Sequence, residues 1–81
     1  MALQPTDRLD ARGLACPLPL LKAKQALAHL AVGDILHVVA SDPGSWRDFE
    51  TFVAHSDHEL LERDTRDSEY HYWLRKGGTR A

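Results

Sequence analysis

A single cysteine, Cys16, stands in the run Gly13-Leu14-Ala15-Cys16-Pro17-Leu18-Pro19. The thiolate is the reactive form of cysteine, so its surroundings decide what it can do. Pro17 suits the first turn of a helix, where its missing N–H is no loss. With Cys16 capping that helix, the sulfur would feel the positive end of the helix dipole. Pro17 and Pro19 both lack a donor, which leaves the N–H of Leu18 as the first-turn group expected to reach the sulfur. A dipole contribution of about 0.3–1 kcal/mol moves a thiol only a few tenths of a unit from a reference near 8.5. Most of the thiol would then remain protonated at neutral pH. Arg12 adds positive potential if its loop folds back; otherwise activation falls to a partner. With no second cysteine in the chain, a persulfide here has no internal thiol to discharge onto and must wait for one on another protein. The plainer alternative is a small buried hydrophobe. Two prolines in one turn argue against it, because core filling does not require a stiffened backbone.

Alternating segments supply the scaffold. A short strand is expected at Asp7–Ala11, followed by a turn at Arg12-Gly13-Leu14-Ala15. A helix should begin at Cys16 or Pro17, with Leu20, Ala23, Leu27 and Leu30 on its apolar stripe and Gly33 just beyond its end. Asp34 to Ala40 is the clearest strand, with Leu36, Val38 and Ala40 on one face and Ile35, His37 and Val39 on the other. Ser41-Asp42-Pro43-Gly44 is turn chemistry. Ser45 with Asp48 three residues on resembles a capping box. A second helix from about Trp46 to His55 would bury Phe49, Phe52 and Val53. Strands at Glu59–Thr65 and Tyr70–Arg75 flank a turn at Asp67-Ser68-Glu69. The order is βαβαββ. The expectation is an α/β (α+β) two-layer sandwich: a mixed four-stranded sheet with two helices on one face, its first crossover parallel and its last two strands antiparallel.

The 81 residues suffice for one domain, 1–81, which would bury roughly 60–65% of its unfolded surface. Hydrophobic residues at 43% and charged residues at 27% argue against disorder. A net charge of −2 without a basic stripe argues against direct nucleic-acid binding. No signal-like or membrane-length apolar run is present. A lone cysteine fits a reducing, cytoplasmic setting.

Asp10-x-Arg12-Gly13-Leu14-x-Cys16-Pro17-x-Pro19 resembles the signature of the TusA/SirA family. The similarity continues through Gly33-Asp34, Ser41-Asp42-Pro43, Arg47-Asp48, His58-Glu59-Leu60 and the stretch from Tyr70 to Gly78. It covers nearly the whole chain, and its C-terminal part is more similar to the TusA branch. The resemblance implies the same βαβαββ fold and a sulfurtransferase that carries sulfur as a persulfide on Cys16, with Asp10, Arg12, Gly13, Pro17, Leu18 and Pro19 in support. It implies an IscS-like cysteine desulfurase as donor and a TusBCD/DsrEFH-like acceptor, leading to 2-thiouridine at the tRNA wobble position. Relatives also serve molybdenum cofactor supply and sulfur oxidation. No cofactor beyond the covalent sulfur, no membrane and a monomeric state are expected. Leu18 stands where the TusA branch has an acid, which removes one negative charge beside the sulfur and bears on partner choice.

Other constellations compete with this reading. His55 and His58 are three apart but straddle a helix end, while His37 and His71 lie on different strands that could be neighbours. None has zinc-finger spacing. A protease-like histidine base beside Cys16 lacks a marked oxyanion hole or orienting group. Asp10 and Arg12 are structural or partner-facing, a turn Asp commonly accepting backbone N–H groups. Trp73 with Ile35 and Val39 could form an apolar patch on the open sheet face, the basis of a non-catalytic binding or regulatory module. Pro43-Gly44 before a helix is more simply a helix entry than an anion site.

Overall fold

The computed structural model describes residues 4–78. Its elements are β1 (Asp7–Ala11), α1 (Leu18–Ala28), β2 (Ile35–Ala40), α2 (Ser45–Ala54), β3 (Glu59–Arg66) and β4 (Glu69–Arg75). The four strands form one sheet in the order β1-β2-β4-β3. β1 runs parallel to β2, while β4 is antiparallel to both β2 and β3. This is the expected βαβαββ two-layer sandwich.

Period-two alternation in β2 and β4 builds the core. Leu36, Val38 and Ala40 of β2 meet Tyr72 and Leu74 of β4, and all are fully buried. Ala11 of β1, Ala23 and Leu27 of α1 and Phe49 of α2 close the layer from above. The Phe49 and Tyr72 rings stack with centroids 4.3 Å apart. The Tyr72 hydroxyl reaches Ser45 Oγ at 2.6 Å, which satisfies a phenol that burial has pushed to a pKa of about 12.

Among the boundaries that differ from expectation, three have a clear local cause. α1 starts at Leu18 with Pro17 as its cap, so Cys16 lies one residue outside the helix. The reason is local: the Leu18 N–H donates to Ala15 O at 2.9 Å and closes a turn before the helix begins. α2 starts at Ser45 with Gly44 as its cap and carries no side-chain cap bond, so the expected capping box does not form. Ser45 Oγ instead donates to Asp42 O at 2.7 Å and meets Tyr72. At the hairpin, Glu69 belongs to β4 opposite Arg66, which leaves Asp67 and Ser68 as a two-residue turn.

Both turn residues have positive φ, +48° and +67°, the geometry that fits the twist of a two-residue hairpin. A left-handed residue with a Cβ costs about 1–2 kcal/mol, whereas an added glycine costs about 0.4–1 kcal/mol through the unfolded chain. Ser68→Gly is therefore expected to stabilise the fold by about 0.5–1 kcal/mol. Urea unfolding reads this directly, and a midpoint that falls would contradict the turn assignment.

Candidate functional site

Parallel pairing of β1 and β2 ends with Ala11 opposite Ala40. The loops that follow these two strands therefore leave the same end of the sheet, where parallel strands commonly present their sites. One loop carries Cys16 and the other carries Asp42, Gly44 and the first turn of α2. They are bonded together: the Gly13 N–H donates to Ser41 Oγ at 2.8 Å, and the Cys16 N–H donates to Asp42 Oδ2 at 3.3 Å. Gly13, at φ +84°, makes the turn after β1. Gly44 lets the loops approach. A Cβ there would lie 2.9 Å from Asp42 Oδ2, 3.4 Å from Cys16 Cβ and 3.7 Å from its Sγ.

Cys16 is exposed. Its thiol donates a hydrogen bond to the Asp48 carboxylate from the first turn of α2. That bond, then desolvation, then the negative charges of Asp48 and Asp42 push the thiol above the usual cysteine range. Two expectations are corrected here, and a third reading, that of Arg12, takes its other branch. The helix cap is Pro17 rather than Cys16. The Leu18 N–H is committed to Ala15 O and does not serve the sulfur. Arg12 does not supply the positive potential, because its guanidinium is held by Asp10 at 2.9 and 3.0 Å and by Glu69 at 3.1 Å. This pairing holds the Asp10 carboxyl at a pKa of about 2 and ties the β1 turn to β4. The Arg12 backbone N–H also donates to Asp10 at 3.1 Å, as a turn aspartate should accept.

Pro17 and Pro19 frame the α1 entry, with Pro19 fully buried against the core. Leu18 and Leu21 are 42% and 49% exposed at the first turns of α1, giving the sulfur an apolar margin. On the other side of the site, a groove of about 460 Å³ runs between the helices, lined by Leu20, Lys24, Arg47, Asp48, Phe52 and His55 among others. The site thus combines an accessible nucleophile, two carboxylates, an apolar rim and a groove that carries Lys24 and Arg47 beside Asp48.

Asp42 and Asp48 are the site residues that sequence reasoning missed. Asp48 looks locally like a capping residue and Asp42 like a turn former. The usable signal was topological: loops following two adjacent parallel strands must meet, and these are the acids on the second loop and on the first turn of the helix it enters.

The histidines fall elsewhere. His37 Nε2 and His71 Nδ1 are 3.0 Å apart on the open sheet face. The His37 ring stacks on Trp73 with centroids 4.5 Å apart. Burial, then the neighbouring His71, Arg8 and Arg66, lower the His37 pKa. The expected apolar patch is thus a histidine–tryptophan stack, with Val39 fully buried beside it. His55 caps the end of α2, and His58 Nδ1 accepts the Gly77 N–H at 3.0 Å. Among the described residues, no group of three or more His, Cys, Asp or Glu side chains is placed to hold a metal ion. No described helix is long and apolar enough to cross a membrane.

Comparison with known proteins matches residues 7–76 to the family described as sulfurtransferase TusA. The sulfur carrier protein TusA of Allochromatium vinosum is 44% identical over 70 residues, covering 86% of this chain and 92% of that relative. The crystal structure of a SirA-like protein from Desulfitobacterium hafniense gives a TM-score of 0.78 at 24% identity, covering 90% of this chain and 100% of the other. That last likeness concerns the fold.

Proposed function

Because this chain belongs to the TusA sulfurtransferase family, we propose that it is a sulfur carrier that holds sulfane sulfur as a persulfide on Cys16. The observation that carries the reading is the exposed thiol at the meeting of the two loops, in a chain with no second cysteine. Loading requires no oxidant. A bond forms between Cys16 Sγ and the terminal sulfur of a donor persulfide, and the donor's S–S bond breaks. The donor leaves as a thiolate and takes up the proton that Cys16 gives up. Delivery repeats the exchange with the next protein's thiol as attacker.

The donor in this reading is an IscS-like cysteine desulfurase, and the acceptor a TusBCD/DsrEFH-like protein on the route to 2-thiouridine in tRNA. Molybdenum cofactor supply and sulfur oxidation are the alternative routes that the same chemistry serves. The exposed Leu18 and Leu21 give a partner an apolar foothold beside the sulfur, and Lys24 and Arg47 favour an acidic margin on that partner. A single free thiol that must stay reduced suits the cytoplasm.

Incubation with a cysteine desulfurase and cysteine, followed by peptide mass analysis, tests the proposal. The peptide containing Cys16 is expected to gain one sulfur atom, lost again on treatment with a thiol reductant. A chain that gains no sulfur in the presence of active desulfurase would refute the carrier reading.

A further inference from the structure

Asp48 is more than a neighbour of Cys16. It comes from a different element, 32 residues along the chain, and accepts the thiol proton in a direct hydrogen bond. Its place in the first turn of α2 fixes it, since a helix N-terminus favours a negative side chain. A thiol that only needed to be reactive would be better served by a cation at this position. A carboxylate does the opposite: it rewards the protonated sulfur and opposes the anionic one.

We infer that Asp48 is a charge latch, a positioning residue that holds the empty Cys16 thiol protonated against α2 and turns the loaded persulfide outward toward a partner. This inference rests on the persulfide reading above. An empty Cys16 has a proton to donate, and donation to Asp48 ties the sulfur down. A persulfide is a stronger acid than a thiol. After loading, the terminal sulfur is an anion with no proton to offer, and it faces the Asp48 carboxylate, with Asp42 close by on the Cys16 N–H. Like charges at contact distance repel, and Cys16 is exposed, so the charged sulfur is free to turn outward. The same carboxylate therefore quiets the empty carrier and presents the full one. No atoms or electrons are added by this step, because the thiol proton departs with the donor's thiolate during loading.

The latch predicts effects of opposite sign on the two states. In Asp48→Asn the amide no longer opposes the thiolate, and the midpoint of the Cys16 alkylation profile should fall. That raises the thiolate fraction by more than the lower basicity cuts the reactivity of each thiolate. Alkylation by iodoacetamide near pH 7.5 should therefore rise. In the loaded state, the Asn amide can donate to the persulfide anion and hold it, so sulfur transfer to a small-molecule thiol should slow. Asp48→Glu keeps the charge and should behave like the wild type in both assays.

A purely structural role for Asp48 would move both rates in one direction or leave the alkylation profile unmoved, and either result overturns the latch. An Asp48→Glu variant that follows Asp48→Asn overturns it too. The wild-type chain supplies a measurement that no variant can confound: its native alkylation midpoint should lie above that of the same chain unfolded in urea, and an equal or lower midpoint rejects the inference. If the wild type never loads with sulfur, the carrier reading fails, and the alkylation profiles still decide whether Asp48 restrains the thiol.

Discussion

Cys16→Ser is expected to abolish sulfur loading completely while leaving the fold intact. The serine hydroxyl can still donate to Asp48, and position 16 is exposed, so the change in stability should stay within about 0.5 kcal/mol. Chemistry is lost entirely, because an alkoxide neither attacks a persulfide at neutral pH nor holds a transferable sulfur through an S–S bond. The measurement uses desulfurase and radiolabelled cysteine, with protein-bound label read after separation from the donor. Wild type should carry label that a thiol reductant strips, and the variant should carry none. Label retained by Cys16→Ser would place the cargo elsewhere and remove the basis of the function argued above. Matching thermal unfolding curves of the two proteins would show that the loss is chemical.

The second large effect is in the core. Phe49 is fully buried and stacks on Tyr72, which is itself fully buried. Phe49→Ala removes the ring and leaves a cavity, which costs about 3–5 kcal/mol. A domain of this length has a total stability of roughly 4–12 kcal/mol, so the variant would lose a large part of it. Its unfolding midpoint should drop on the order of 15–30 °C. The site should suffer as well, because α2 carries Asp48 one residue before Phe49. Thermal melting followed by circular dichroism gives the answer. A fall below about 5 °C would mean that the ring is not packed as described, since even a loss of 1 kcal/mol moves a small domain by roughly 4–8 °C. Phe49→Leu refills much of the space and should recover a good part of the loss.

Much of this architecture was legible from pattern. Alternation in Ile35–Ala40 and in Tyr70–Arg75 places Leu36, Val38, Tyr72 and Leu74 on one face, and those residues form the core. Helical spacing places Ala23, Leu27 and Phe49 correctly against them. The helix starts were less legible, for two different reasons. At α1, two prolines without N–H groups leave the first turn undefined, and the Leu18-to-Ala15 turn decides it. At α2, Ser45 has the local credentials of a cap, but a tyrosine 27 residues away claims its hydroxyl. The site divides in the same manner. Cys16 announces itself through residue type and its prolines, whereas Asp48 matters through a contact across 32 residues that a short-range motif had already explained differently. Arg12 shows the converse: a cation near the cysteine in sequence is drawn off by Asp10 and Glu69.

The sheet order places β1 and β3 at its two margins, and this has a bearing on how such a molecule keeps company. An open strand margin invites another chain to add itself by backbone pairing, which is a route to fibres. Here β1 is only five residues long and carries Asp7, Arg8 and Asp10. β3 is interrupted by an irregularity between Leu60 and Glu62 and bears Glu62, Arg63, Asp64 and Arg66. Brevity, a break in register and dense charge make both margins poor templates for such growth. Growth along the strand margins is thereby discouraged, so the exposed sulfur at one end of the sheet can meet other molecules without the sheet itself becoming sticky.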